Sequence, residues 1–157
     1  MTREPFQRVL DRHADDVLRF LVAGLGRHDA DDAFQETFIS ALRAYPKLRP
    51  DSDVRAWLFT IAHRKAIDVH RGRTRRAIPV ESVDDRAAAP DTAGLDASDG
   101  HWARVRALPD RQRAVLTLRY AADLTHAEIA AVLECSEAAS RRAAADGLAR
   151  LRAEVAA

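Results

Sequence analysis

The side chains best suited to chemistry gather in two places: carboxylates at Asp31, Asp32 and Glu36, and the imidazoles of His63 and His70 with Asp68 between them. Such groups could ligate a divalent metal or supply an acid–base pair. Their spacing argues against both. His63 and Asp68 lie five residues apart, an indifferent helical spacing; no Gly-rich phosphate loop accompanies them, and no nucleophile stands in a known motif. Cys135 is the lone cysteine, too few for a disulfide or a structural zinc site, and its place at a helix start reads as small-residue packing. No catalytic group, metal or cofactor is expected.

The elements that position these groups are helical. The chain has 157 residues, 47% of them hydrophobic and rich in Ala and Leu, without alternating Val, Ile and Thr runs. This favours an all-α fold of two small domains over one large catalytic core. Phe6, Val9, Leu10, His13, Val17, Phe20 and Leu21 form the stripe of an amphipathic helix that ends near Gly24 to Gly26. Asp29 is placed to cap a second helix, with Phe34, Phe38 and Leu42 as its buried stripe and Pro46 closing it. Asp51, Ser52 and Asp53 start a third, with Val54, Trp57, Leu58, Ile61 and Ala62 inward and a basic tail, HRKAIDVHRGRTRR, outward.

Charge divides the chain further. Residues 1–76 carry 15 Lys+Arg against 11 Asp+Glu, residues 77–106 carry 3 against 6, and residues 107–157 carry 7 against 7. From Ala77 to Gly100 periodicity is lost among Pro79, Pro90, Gly94 and scattered acids, so 77–106 reads as a flexible acidic linker. Order resumes near Trp102, with Pro109 suited to the first turn of a helix holding Val115, Leu116, Leu118 and Tyr120. Thr125 and Glu128 form a T-x-x-E capping box for a short helix with Ile129, Val132 and Leu133. After a three-residue break Ser136 caps another helix, and short helix, tight turn, longer helix is the helix-turn-helix pattern. The charged N-terminus and the lack of an apolar run near the roughly 20 residues that cross a bilayer point to a cytoplasmic chain without membrane insertion.

On the second helix Asp32 and Glu36 lie four apart beside Gln35, an acidic face that suits a basic partner or simply solvent. On the third, Arg64, Asp68, Arg71 and Arg75 share one face that could track phosphates. Trp57 sits in the apolar stripe and reads as core rather than as a base-stacking platform.

These stretches resemble the extracytoplasmic-function group of sigma factors, which keep only a sigma-two and a sigma-four domain. The resemblance rests on DADDAFQETFISALRAY at 29–45, RPDSDVRAWLFTIAHRKAIDVHRGRTRR at 49–76 and LPDRQRAVLTLRYAADLTHAEIAAVLECSE at 108–137. It implies a sigma-two helical bundle over 1–76, the linker over 77–106 and a sigma-four helix-turn-helix over 107–157. It further implies that Asp31, Asp32, Gln35 and Glu36 meet the bacterial RNA polymerase core. Arg55, His63, Arg64, Lys65, Arg71 and Arg75 would meet the melted single strand of the minus-ten element. Thr125, Ser136, Glu137, Ser140, Arg141 and Arg142 would meet duplex promoter DNA at minus-thirty-five, and an anti-sigma factor would cover such surfaces.

The chain departs from that pattern in places. His63 and Arg64 stand where the family usually has Arg and Asn, and Glu134 stands where its turn usually offers Gly. The last helix, EAASRRAAADGLARLR, keeps Arg141 and Arg142 but has Ala143, Ala145 and Asp146 at positions often basic, which predicts weak upstream binding. Gly147 adds a helix cost of about 1 kcal/mol. Two rivals remain: a free-standing helix-turn-helix regulator, which explains 108–152 only, and a sigma-like partner-binding module without promoter activity.

Overall fold

The computed structural model describes residues 3–77 and 96–156, with the side chains of 76, 77 and 96–99 excepted. Its first half is a three-helix bundle: α1 (Phe6–Leu25), α2 (Arg27–Ala44) and α3 (Val54–Ala77), with a 3-10 turn at Tyr45–Lys47. The stripe expected on α1 is buried at Val9, His13, Val17, Phe20 and Leu21. Ala30, Ala33 and Ala41 on α2 and Ala62 and Ala66 on α3 are buried, and their small side chains permit close packing within the bundle. Phe20 meets Phe59 edge-to-face at 5.8 Å, and Tyr45 lies 6.2 Å from Trp57, which is only partly buried.

α1 passes into α2 through one residue. Gly26 adopts φ 84°, donates its N–H to Val22 O at 2.8 Å, and accepts from Ala30 N at 3.1 Å. A side chain would be strained there. Gly26 rather than Asp29 therefore occupies the cap position of α2; Asp29 sits in its first turn and accepts from Arg73 Nε at 2.7 Å. Asp53 does cap α3, its Oδ1 accepting from Ala56 N at 3.2 Å.

The second half comprises α4 (Asp96–Arg106), α5 (Asp110–Leu116) running into a π-helical turn at Thr117–Ala121, α6 (His126–Leu133) and α7 (Glu137–Ala156). The expected linker thus ends in helix. Val105 is buried and Trp102 partly so, and the apolar step from Trp102 to Val105 to Leu108 joins the buried core. Residues 78–95 of that linker lie outside the described residues. Pro109 directly precedes α5, its carbonyl accepting from Arg113 N at 2.9 Å.

The predicted capping box is present. Thr125 Oγ1 accepts from Glu128 N at 3.1 Å, while Glu128 Oε1 accepts from Thr125 N at 2.9 Å. Glu134 ends α6 in the left-handed region at φ 54°, ψ 49°, and Ser136 Oγ accepts from Ala139 N at 3.0 Å to start α7. One buried apolar cluster runs through both halves. The last carbonyls of α1 accept from two distant guanidiniums: Arg106 reaches Val22 O, which also takes the Gly26 N–H, and Ala23 O at 3.1 and 3.0 Å, and Arg73 reaches Leu25 O at 2.5 Å.

Candidate nucleic-acid and partner interfaces

Asp31, Asp32, Gln35 and Glu36 are all exposed on α2 and have no hydrogen bond or ion pair within the described residues. Leu42 departs from the sequence expectation: it is 55% exposed, and Ile39 is 49% exposed. Steps of three and four carry Asp32, Gln35, Glu36, Ile39 and Leu42 along one face, acidic at its start and apolar at its end. Buried Thr37 and Ala41 lie on the opposite face, with Thr37 Oγ1 donating to Ala33 O at 2.7 Å.

α3 presents two faces of different character. Arg64, Asp68, Arg71 and Arg75 are exposed, so the basic stripe read from the sequence is open to solvent, with Lys65 partly so. Arg55 and His63 point to the second half of the chain instead. Arg55 Nη1 donates to Glu128 Oε2 at 2.7 Å and its Nη2 to Ala122 O at 2.9 Å. The net effect on Glu128 is a carboxyl held below its ordinary range: burial pushes it up, but the Thr125 N–H and the Arg55 charge outweigh that.

His63 and His70 line a cleft of ≈ 220 Å³ between α1, α3 and α5, together with Phe20, Arg71 and Arg113. Burial, then the Arg113 and Arg64 charges, pushes the His63 imidazole down to about 4. Burial and the Arg113 and Arg73 charges do the same to His70, against the pull of Asp110 and a hydrogen bond with the Gly24 backbone. Asp68 lies outside this cleft on the exposed face, so the three are not brought together, and no group of three or more His, Cys, Asp or Glu among the described residues is arranged to hold a metal.

In the helix-turn-helix, Thr125, Ser136, Glu137, Arg141 and Arg142 are exposed, the first two as caps. Ser140 requires a correction. It is fully buried, and its hydroxyl lies 2.7 Å from His126 Nδ1, tying α7 to α6. One turn separates it from the buried pair Ala143 and Ala144, so its face of α7 is the inner one and cannot meet a groove. Arg141 pairs with Glu137 at 3.3 Å, leaving Arg142 as the exposed cation of the first turns without such a partner among the described residues.

A helical bundle carrying an open basic stripe, joined to a helix-turn-helix, defines a two-part nucleic-acid-binding protein without a built catalytic centre among its described residues. Residues 9–76 match the Sigma-70 region 2 family and residues 102–151 match Sigma-70, region 4. The chain is 34% identical to the ECF RNA polymerase sigma factor ShbA of Streptomyces griseus over 140 residues, covering 83% of this chain and 73% of that one. It is 30% identical to SigD of Mycobacterium tuberculosis, covering 98% and 78%. Among solved structures it resembles the sigma factor RpoE bound to the anti-sigma factor NepR from Bartonella quintana, with TM-score 0.75, 25% identity, and 94% of both chains covered. CnrH in complex with the cytosolic domain of CnrY gives 0.74 and 26%, covering 96% and 86%. The chain belongs to the extracytoplasmic-function sigma factors, the subunits that direct RNA polymerase to promoters. Its region 2 and region 4 modules serve RNA polymerase core and promoter DNA.

Proposed function

We propose that the three surfaces divide this work as follows. The α2 face of Asp31, Asp32, Gln35 and Glu36 docks on polymerase core, with Ile39 and Leu42 adding apolar contact at its end. The α3 stripe of Arg64, Arg71 and Arg75, with Lys65, tracks the phosphates of the melted minus-ten strand, and Arg55 and His63 join it once the modules separate. The exposed part of α7, with Arg141 and Arg142 beside Ser136, Glu137 and Thr125, approaches duplex DNA at minus-thirty-five.

The observation that carries this reading is the α2 face itself: Asp32, Gln35, Glu36, Ile39 and Leu42 in one row with Asp31 beside it, all exposed and, for the polar ones, unengaged among the described residues. Isolated exposed charges would be solvation, but an acidic row continued by Ile39 and Leu42 is built like the polar rim and apolar centre of a docking surface. An anti-sigma partner is proposed by likeness to the RpoE and CnrH complexes. No reaction is assigned to the chain, and it acts in the cytoplasm; no described helix is long and apolar enough to cross a membrane.

Transcription from fragmented genomic DNA by purified core polymerase tests the reading. Discrete new transcript starts appear when the chain is added and vanish with Asp32→Arg/Glu36→Arg. An unchanged start pattern with wild-type chain would favour a partner-binding module without promoter activity.

A further inference from the structure

The contact that joins the two modules uses a residue given above to DNA. Both η nitrogens of Arg55 are occupied, one by Glu128 Oε2 and the other by the Ala122 carbonyl, and its guanidinium stands 5.9 Å from the Phe59 ring centre. The side chains of Arg55 and Glu128 are only 27% and 26% exposed, so the pair is partly desolvated and its charge-assisted hydrogen bonds count for more than a surface ion pair. Glu128 is also held by the capping box through its other oxygen. Its carboxylate is thereby fixed in place for Arg55, with little further rotamer entropy to lose.

Other elements reinforce the closure. α6 packs on α3, the π-helical turn packs on α1, and a Cβ at Gly24 would stand 3.8 Å from Thr117 Cγ2, an ordinary contact distance. Arg106 binds the end of α1, and the buried core crosses the junction. A carboxylate oxygen and a carbonyl oxygen on the two η nitrogens present the guanidinium with the oxygens a phosphate would offer. The two N–H groups directed at these oxygens cannot serve a phosphate at the same time.

We propose that the helix-turn-helix module is an intramolecular competitor of nucleic acid for α3. In the free chain the Arg55–Glu128 latch holds the modules closed, and a single strand takes over these two N–H donors by displacing Glu128 and the Ala122 carbonyl. Arg64, Arg71 and Arg75 stay exposed in the closed form, so a strand can be met first and Arg55 exchanged afterwards. This inference rests on the minus-ten role proposed for α3.

The test uses spin labels at Asp15→Cys and Arg150→Cys in a Cys135→Ser background, with inter-label distances read by pulsed dipolar spectroscopy. Both labelled positions are exposed, on α1 and α7. Glu128→Gln keeps the side-chain oxygen that caps α6 and loses the charge. Arg55→Ala leaves Glu128 and its cap untouched. The wild type is expected to give one narrow distance, and both variants a broader, longer distribution with helical content retained. A fluorescein-labelled AT-rich single strand, followed by anisotropy, then separates them: Glu128→Gln binds roughly five-fold or more tightly than wild type, while Arg55→Ala binds more weakly. Unchanged distances in both variants would overturn the latch. Wider distances without tighter strand binding by Glu128→Gln, including no binding by any form, would overturn the competition. Retention of core binding by both variants keeps either failure distinct from failure of the sigma-factor reading.

Discussion

Gly147 of α7 rests against Leu116 of α5 so closely that an added Cβ would stand 2.9 Å from Leu116 Cδ1 and 3.4 Å from Gln112 Cβ. Leu116 is 1% exposed and has little room to move aside. In sequence this glycine reads as a helix defect; in the fold its missing side chain lets α7 approach α5. Gly147→Val is expected to destabilise the protein by about 1–3 kcal/mol through overpacking, despite valine's better helix propensity. A raised urea midpoint for Gly147→Val would contradict this packing account.

Ser140 and Arg142 lie two positions apart and should behave differently. Ser140→Ala removes the partner of His126 Nδ1 and is expected to cost about 1 kcal/mol of stability with no change in the salt dependence of duplex binding. Arg142→Ala should leave stability nearly unchanged and reduce the slope of log affinity against log salt by about 1. Urea unfolding and anisotropy titrations at several salt concentrations separate the two effects.

Acidification should loosen the fold before it touches the latch carboxylate. His63 and His70 are held at about 4 in the folded chain, against an ordinary value of 6.5. Below 6.5 the unfolded chain binds more protons than the folded one, so stability falls as pH drops from 6.5 towards 4 and levels off beneath. Glu128 acts in the opposite range: its depressed value adds stability above its ordinary 4.5 that is lost only as pH falls below. Thermal midpoints between pH 7 and pH 5 should therefore decline. The double variant His63→Gln/His70→Gln should lose most of that slope, keeping the smaller part due to His13 and His126, which burial also lowers. A slope unchanged in the double variant would remove these two histidines as its cause.

Helices with strong local signals were legible in the sequence. The α1 stripe, the start of α3 at Asp51 to Asp53, the Thr125–Glu128 box and the Ser136 cap are each set within a few residues of chain, and each stands where its spacing placed it. Features decided by packing across long separations were not. Leu42 reads as core by its spacing from Phe34 and Phe38, yet α1 and α3 bury the Thr37–Ala41 side of α2 and leave Leu42 outside. Ser140 reads as a polar contact by its place in a recognition helix, while its hydroxyl is consumed by His126 fourteen residues earlier. The dual use of Glu128 depends on Arg55, seventy-three residues away, and no local pattern encodes that pairing. The signal available for α4 was the Trp102, Val105, Leu108 step, weakened by Gly100 and the acids around it.

Polymerase docking is the central claim, and co-elution on a sizing column measures it most directly. The wild-type chain mixed with bacterial core RNA polymerase is expected to elute with it, and Asp32→Arg/Glu36→Arg, folded to the same helical content, to elute alone because charge reversal sets like charges against a basic partner surface. Co-elution of the double variant to the same extent as wild type would contradict the assignment of the α2 face. Failure of the wild type itself to co-elute would contradict the claim that this chain docks on polymerase.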